Sequence, residues 1–405
     1  MTEQTLTQIR HVIDSAAFKT AAATLAAEHD RTVADIIDLT ETPAPPFKER
    51  TRAEKWCAMA KAHGLEDVEI DEEGNVTGLR RGIGNGRLIC IAAHLDTVFP
   101  EGTEVTVRRE GTKLFAPGVG DDTRSLAVLL AWMRALDAAA IQTRNDILFV
   151  ADVGEEGAGD LRGMRHLFGK GRYKDRISAF ITVDSPEVDR IAIGGVGSKR
   201  YRVTFDGPGG HSYGAFGVVN PMFAMADATA RFGKLVVPAK PKTTFSASVT
   251  GGGTSINAIP NSVWMEFDLR SESAAELAKL EAQFIVLLDR SVAAENAARS
   301  TANGPVTYTL TPIGDRPAGN TPEDSELVQL AHAAISAHGY QPRFVSSSTD
   351  ANIAMSLGIP ALRIGSGGTG GRGHSLEEWI DVEPTQSIRG MTAGLATVLA
   401  AAGMA

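Results

Sequence analysis

The run from Leu88 to Ala93 is apolar throughout and ends in His94, with Asp96 two residues further on. An apolar run of this length between polar neighbours reads as a buried strand. In open α/β sheets chemistry collects at the carboxyl ends of strands. An imidazole at such an end can hold a metal, and a nearby carboxylate can fix its tautomer from behind. On its own, His-x-Asp is more often an ordinary turn, so the other segments have to decide.

Further strand patterns end in the same way. A hairpin pattern through Lys113-Leu114-Phe115 leads to Gly120-Asp121-Asp122, and Ile147 to Ala151 runs into Gly154-Glu155-Glu156-Gly157. Ala179 to Val183 ends in Asp184, and Ile359 to Ile364 opens into a glycine-rich loop that reaches His374. That loop lacks the Gly-Lys-Ser/Thr ending of a phosphate cradle, which argues against nucleotide binding. Helical spacing from Thr123, with Leu126, Leu129, Leu130, Met133 and Leu136, makes Asp122 read as a helix-start acid. Strands alternating with helices predict an α/β fold built on a doubly wound mixed sheet. Between 197 and 311 the order changes to βαββαβ, the pattern of a ferredoxin-like α+β sandwich. The expected domains are therefore one over 1–196 and 312–405, which carries these strand ends, and an inserted second domain over 197–311. A chain of 405 residues has room for both.

Two histidines and three carboxylates form a ligand set suited to Zn²⁺ or Mn²⁺. Two ions could share Asp121, with His94 and Asp184 on one and Glu156 and His374 on the other. Glu155 would then be left to act as general base. His11, His29, His63, His166, His332 and His338 have no such company and read as surface or helix residues.

Composition narrows the function classes. A net charge of −9 without a basic run argues against nucleic acid and anionic membranes as partners. Cys57 and Cys90 make no disulfide framework, which suits a reducing compartment. The N-terminal segment carries Glu3, Asp14, Glu28 and Asp30 without an apolar core, unlike a secretory signal. A cytoplasmic location is expected.

His94-Leu95-Asp96-Thr97-Val98, Gly120-Asp121-Asp122, Gly154-Glu155-Glu156-Gly157 and His374 four residues before Glu378 resemble the co-catalytic zinc peptidases and deacylases. That group includes tripeptide aminopeptidase, glutamate carboxypeptidase, acetylornithine deacetylase and succinyl-diaminopimelate desuccinylase. The resemblance extends over nearly the whole chain and implies a di-metal hydrolase of amide bonds, with Zn²⁺ first and Mn²⁺ or Co²⁺ as alternatives. It implies that 1–196 with 312–405 is the catalytic, metal-binding domain and 197–311 a lid, that Asp96 orients His94, that Glu155 is the catalytic base and that the lid pairs to form a homodimer. In the lid, Gly209-Gly210-His211-Ser212 is similar to the family's segment whose histidine stabilises the oxyanion. Gly251 to Pro260 is similar to a segment whose Asn257 contacts substrate, and Asp268-Leu269-Arg270 to one whose arginine grips a carboxylate. Arg372 is a further candidate for substrate binding.

Thr123-Arg124 departs from the lysine and glycine common after the bridging aspartate. Asp184, rather than glutamate, leans towards the aminopeptidase and dipeptidase branch. The expected substrate is a small peptide or amide, with tripeptide aminopeptidase activity leading. The alternatives are hydrolysis or deamination of a non-peptide small molecule and, less favoured, binding without catalysis.

Overall fold

The computed structural model describes residues 2–84 and 86–405. The chain divides into one unit of Met1–Gly195 with Asn320–Ala405 and a second of Val196–Gly319. The boundary expected at 312 falls inside a strand, Thr307–Arg316, which stays in register with the first lid strand as far as Arg316–Ser198. Ladder hydrogen bonding keeps that strand whole, so the chain returns to the first unit only at Asn320.

The first unit is built on a nine-stranded mixed sheet. Leu88–His94 lies at its centre, parallel to both Asp146–Asp152 and Ile177–Val183. Ala361–Ile364 is parallel to Ile177–Val183 on the far side. Val76–Arg80 and Glu66–Ile70 extend the sheet antiparallel beyond Asp146–Asp152.

Every residue from Leu88 to His94 is buried because both faces of the strand are covered. Its side chains alternate between two cores. Ile89, Ile91 and Ala93 join the helices Arg124–Ala138 and Pro384–Ala402, whereas Cys90 and Ala92 join Leu148, Val150, Phe180 and Ala354. The alanine- and glycine-rich C-terminal helix packs closely: a side chain at Gly394 would lie 2.5 Å from Trp132. The Trp132 indole also donates to the Met391 carbonyl at 2.9 Å. Among the described residues no helix is long and apolar enough to cross a membrane.

The second unit has the expected βαββαβ order. Its four antiparallel strands run spatially as Thr243–Gly252, Ser262–Ser271, Gly197–Asp206 and Thr307–Arg316. Helices Pro221–Phe232 and Ala274–Ala298 contribute Phe232 and Phe284 to a core with Phe267, the ring centroids 4.9–5.3 Å apart. Such edge-to-face aromatic packing gives a small unit a rigid centre.

Candidate active site

Parallel strands finish at the same edge of a sheet. Leu88–His94, Asp146–Asp152, Ile177–Val183 and Ala361–Ile364 therefore deliver His94, Glu155-Glu156, Asp184 and the loop to His374 to one side. A second, small sheet completes the arrangement. Its strands Arg108–Glu110, Lys113–Phe115, Trp379–Asp381 and Thr369–Gly371 tie the segment before Asp121 to the segment around His374.

Asp121 is the centre of the cluster. Its Oδ1 lies 2.8 Å from His94 Nε2 and its Oδ2 lies 3.1 Å from His374 Nε2. Glu156 Oε1 is 2.7 Å from the same His374 nitrogen. Donor atoms of His94, Asp121 and Glu156 all lie within 4.8 Å of one another. Burial alone would lower the pKa of His94, but the bond to Asp121 and the charges of Asp122, Asp121 and Asp96 raise it well above its ordinary value. Hydrogen bonds to Asp121 and Glu156 push His374 up to about 11. Asp121 is held well below the carboxylate range by its two histidines, against the effect of burial. Asp184 is pushed up to about 6 by burial and then by the charge of Asp121, with Arg363 and His94 opposing. A cluster that draws protons this strongly onto two imidazoles has the excess negative charge a divalent cation would neutralise. Imidazole and carboxylate donors are the types that zinc and manganese accept.

The supports differ from the sequence expectation. His94 Nδ1 faces the backbone carbonyl of Asp96 at 3.0 Å, whereas the Asp96 carboxylate is 3.7 Å away. That carboxylate instead accepts the backbone N–H groups of Glu155 at 3.0 Å and Glu156 at 2.8 Å. Asp96 thus orients His94 through its peptide and the two glutamates through its side chain. Asp122 is not a simple helix-start acid. It is fully buried, and its Oδ2 accepts the His94 backbone N–H at 3.1 Å.

Glu378, known from the sequence only by its spacing from His374, accepts N–H groups from Gly118, Gly120 and Asp121, each at 2.8 Å. A side chain at Gly120 would lie 3.1 Å from that carboxylate, so the close approach favours glycine there. Burial and the charge of Asp121 push Glu378 up to about 7 against the three hydrogen bonds. Beneath the cluster, burial also pushes up the carboxyls of Asp152 and Asp350, Asp152 to about 8. No sequence pattern singled out that pair.

Arg124 turns into the core, where its Nη2 donates to Ser387 Oγ at 3.1 Å. The departure at Thr123-Arg124 is therefore a packing feature. Arg372 is exposed and only 3.8 Å from Glu377, and it shares a left-handed backbone with His374, at φ 59° and φ 62°.

Within the lid unit, Gly210–His211 pairs with Ala258–Ile259, which brings the His211 and Asn257 segments together. His211 Nδ1 accepts N–H groups from Tyr213 and Gly214, both at 3.2 Å, so its proton belongs on Nε2. The Asn257 amide oxygen accepts from Ser255 Oγ at 2.6 Å. Arg270 pairs with Asp268 at 2.7 Å, an acid that Arg200 also reaches.

A model of the Peptidase family M20/M25/M40 matches residues 90–401. The chain belongs to this family. The member described here is 28% identical over 250 residues to succinyl-diaminopimelate desuccinylase of Leptothrix cholodnii, covering 57% of this chain and 64% of that protein. It is 25% identical over 199 residues to carboxypeptidase G2 of a Pseudomonas species, covering 48% of this chain and 47% of that protein. The chain thus aligns with less than two thirds of each of these relatives. Aminopeptidase PepT of Bacillus cereus shares the fold, with a TM-score of 0.74 at 20% identity over 92% of this chain and 98% of that one.

Proposed function

We propose that this family member hydrolyses a peptide or N-acyl amide bond in a small substrate, with removal of the first residue of a tripeptide as the leading case. The observation that carries the reading is Asp121, whose two carboxylate oxygens address two different histidines. A shared carboxylate is what a pair of adjacent cations requires. In this reading His94 and Asp184 would hold one ion and Glu156 and His374 the other, with Asp121 serving both. Zn²⁺ is the first candidate, with Mn²⁺ or Co²⁺ as alternatives. Bound ions of this kind polarise a carbonyl and lower the pKa of water.

The chain's own residues then divide the work. Glu155, held by its backbone N–H on Asp96, takes the proton of the attacking water and returns it to the leaving nitrogen. His211, with its proton on Nε2, donates a hydrogen bond to the developing oxyanion. Asn257, Arg270 and Arg372 contact the substrate, Arg270 by exchanging Asp268 for a substrate carboxylate. The lid's ten-residue edge strands, Thr243–Gly252 and Thr307–Arg316, are its surfaces for pairing with a second copy. Light scattering of the purified protein checks that dimer.

Aspartate at 184 favours the aminopeptidase side. The desuccinylase relative is named for removal of a succinyl group, which makes non-peptide N-acyl amides the second class. The test is a panel of tripeptides, dipeptides, N-succinyl and N-carbamoyl amino acids with protein loaded with Zn²⁺, Mn²⁺ or Co²⁺. Turnover of tripeptides that chelation abolishes supports the leading case. Turnover confined to the acyl compounds moves the assignment to the second class, and no turnover of any member sinks both.

A further inference from the structure

Two of the supports described above, Asp96 and Asp122, are carboxylates with no exposure to solvent. Buried carboxylates need compensating charge as well as hydrogen bonds. Arg52 is bonded into the turn that carries Asp96. It lies in the first turn of the helix Arg50–Ala60 and is itself fully buried. Its hydrogen bonds do not go to a carboxylate. Nη1 donates to the Leu95 carbonyl at 2.6 Å and Nε to the Thr42 carbonyl at 2.8 Å. Asp96 and Asp122 are the carboxylates that act on its charge. The guanidinium thus holds the carbonyl of Leu95, between His94 and Asp96, and the two acids whose charge acts on it are those that hold the amides of His94, Glu155 and Glu156.

We propose that Arg52 is a positioning residue for hydrolysis, fixing the His94-Leu95-Asp96 turn and balancing Asp96 and Asp122 so that His94 and Glu155 keep their relative placement. The proposal rests on the hydrolase reading for its kinetic consequence but not for its spectroscopic one. A planar guanidinium can serve two carbonyls from one fixed fork, whereas an ammonium is a point donor on a flexible stem. Arg52→Lys therefore keeps the charge and loses the clamp, and Arg52→Met loses both. Arg134 is the control, a buried guanidinium whose bonds go to Glu28, Asp35 and Thr32, none of them in the site.

The experiment titrates each variant with Co²⁺, records its visible d–d absorption, and measures apoprotein Tm together with kcat and KM on whichever panel substrate is cleaved. Arg52→Met is expected to change the Co²⁺ spectrum and to lower kcat at least about tenfold, with KM within about twofold. Arg52→Lys falls between it and the wild type. Arg134→Met lowers Tm and leaves spectrum and kcat unchanged. Wild-type spectrum and kcat in folded Arg52→Met overturn the proposal, as does an equal kcat loss in Arg134→Met. If Arg52→Met does not fold, Arg52→Lys decides: a shifted spectrum supports the clamp and an unchanged spectrum removes it. If no substrate is cleaved, the hydrolase reading fails and the spectra still test the placement of His94.

Discussion

The cluster around Asp121 and the His211–Asn257 loops of the inserted unit are built in opposite ways. The cluster is tied together across long stretches of chain: Asp121 to two histidines, the N–H groups of Glu155 and Glu156 to Asp96, that of His94 to Asp122, and the Asp121 loop to Glu378. In the lid loops His211 and Asn257 are exposed and take their bonds from neighbours within three residues. Burial explains the contrast. A buried carboxylate without donors is costly, so each brings a second layer of partners, whereas an exposed side chain is solvated by water and needs only a local turn. If the proposed function holds, substitutions in the cluster change metal binding, stability and rate together, whereas substitutions in the lid loops change rate alone.

The sharpest way to break that contrast is to remove chemistry without removing support. Glu155→Gln is expected to lower kcat by about 10³-fold or more while metal content stays at the wild-type level; loss of metal in this variant would make Glu155 a ligand instead. His211→Ala is expected to cost about 10²-fold in kcat with Tm unchanged, because its side chain accepts only from Tyr213 and Gly214, whose N–H groups lie in an exposed loop where water can replace it. A lower Tm would show that the lid loop is a structural element after all. Glu378→Gln places an amide N–H₂ against at least one of the three backbone donors, and metal affinity measured by chelator competition should fall about 10- to 100-fold. An unchanged affinity would detach Glu378 from the site.

The smallest effect comes from histidines outside both regions. Burial lowers His29, His63, His332 and His338 below the ordinary value of 6.5. As pH falls below about 6.5 the unfolded chain takes up protons that the folded chain refuses, so stability is lost in that window and is fully present above it. Because the raised carboxyls of Glu378 and Asp184 act with the opposite sign in this window, the comparison between variants decides: the apoprotein Tm of His338→Gln relative to the wild type should rise from pH 7 to pH 5. A difference that stays constant with pH would contradict the depressed value of His338.

Much of this was legible because period and direction are local. Runs such as Leu88–Ala93 and Ala179–Val183 announce buried strands, and parallel strands must end together, so His94, Glu156, Asp184 and the loop to His374 could be grouped before any coordinates. The supports were not legible. Asp96 meets the amides of Glu155 and Glu156, and Glu378 meets Gly118 and Asp121, across long separations set by loop conformation rather than by spacing. Arg52 carried no pattern beyond helix. The same limit explains the boundary at 312, where a strand continues through residues with no apolar alternation, and the departure at Thr123-Arg124, where a long side chain fills the gap beside Ser387.

The small sheet of Arg108–Glu110, Lys113–Phe115, Trp379–Asp381 and Thr369–Gly371 has a mechanical consequence. It joins Asp121 and His374 to one rigid piece, while His94, Glu156 and Asp184 ride on the edge of the large sheet. The donors therefore sit on two jaws rather than five independent loops. Sliding one sheet against the other would change the gap between the jaws as a whole, so a substitution in the pairing of Ile380 with Leu114, which packs beside Gly120, would act on every distance across that gap at once.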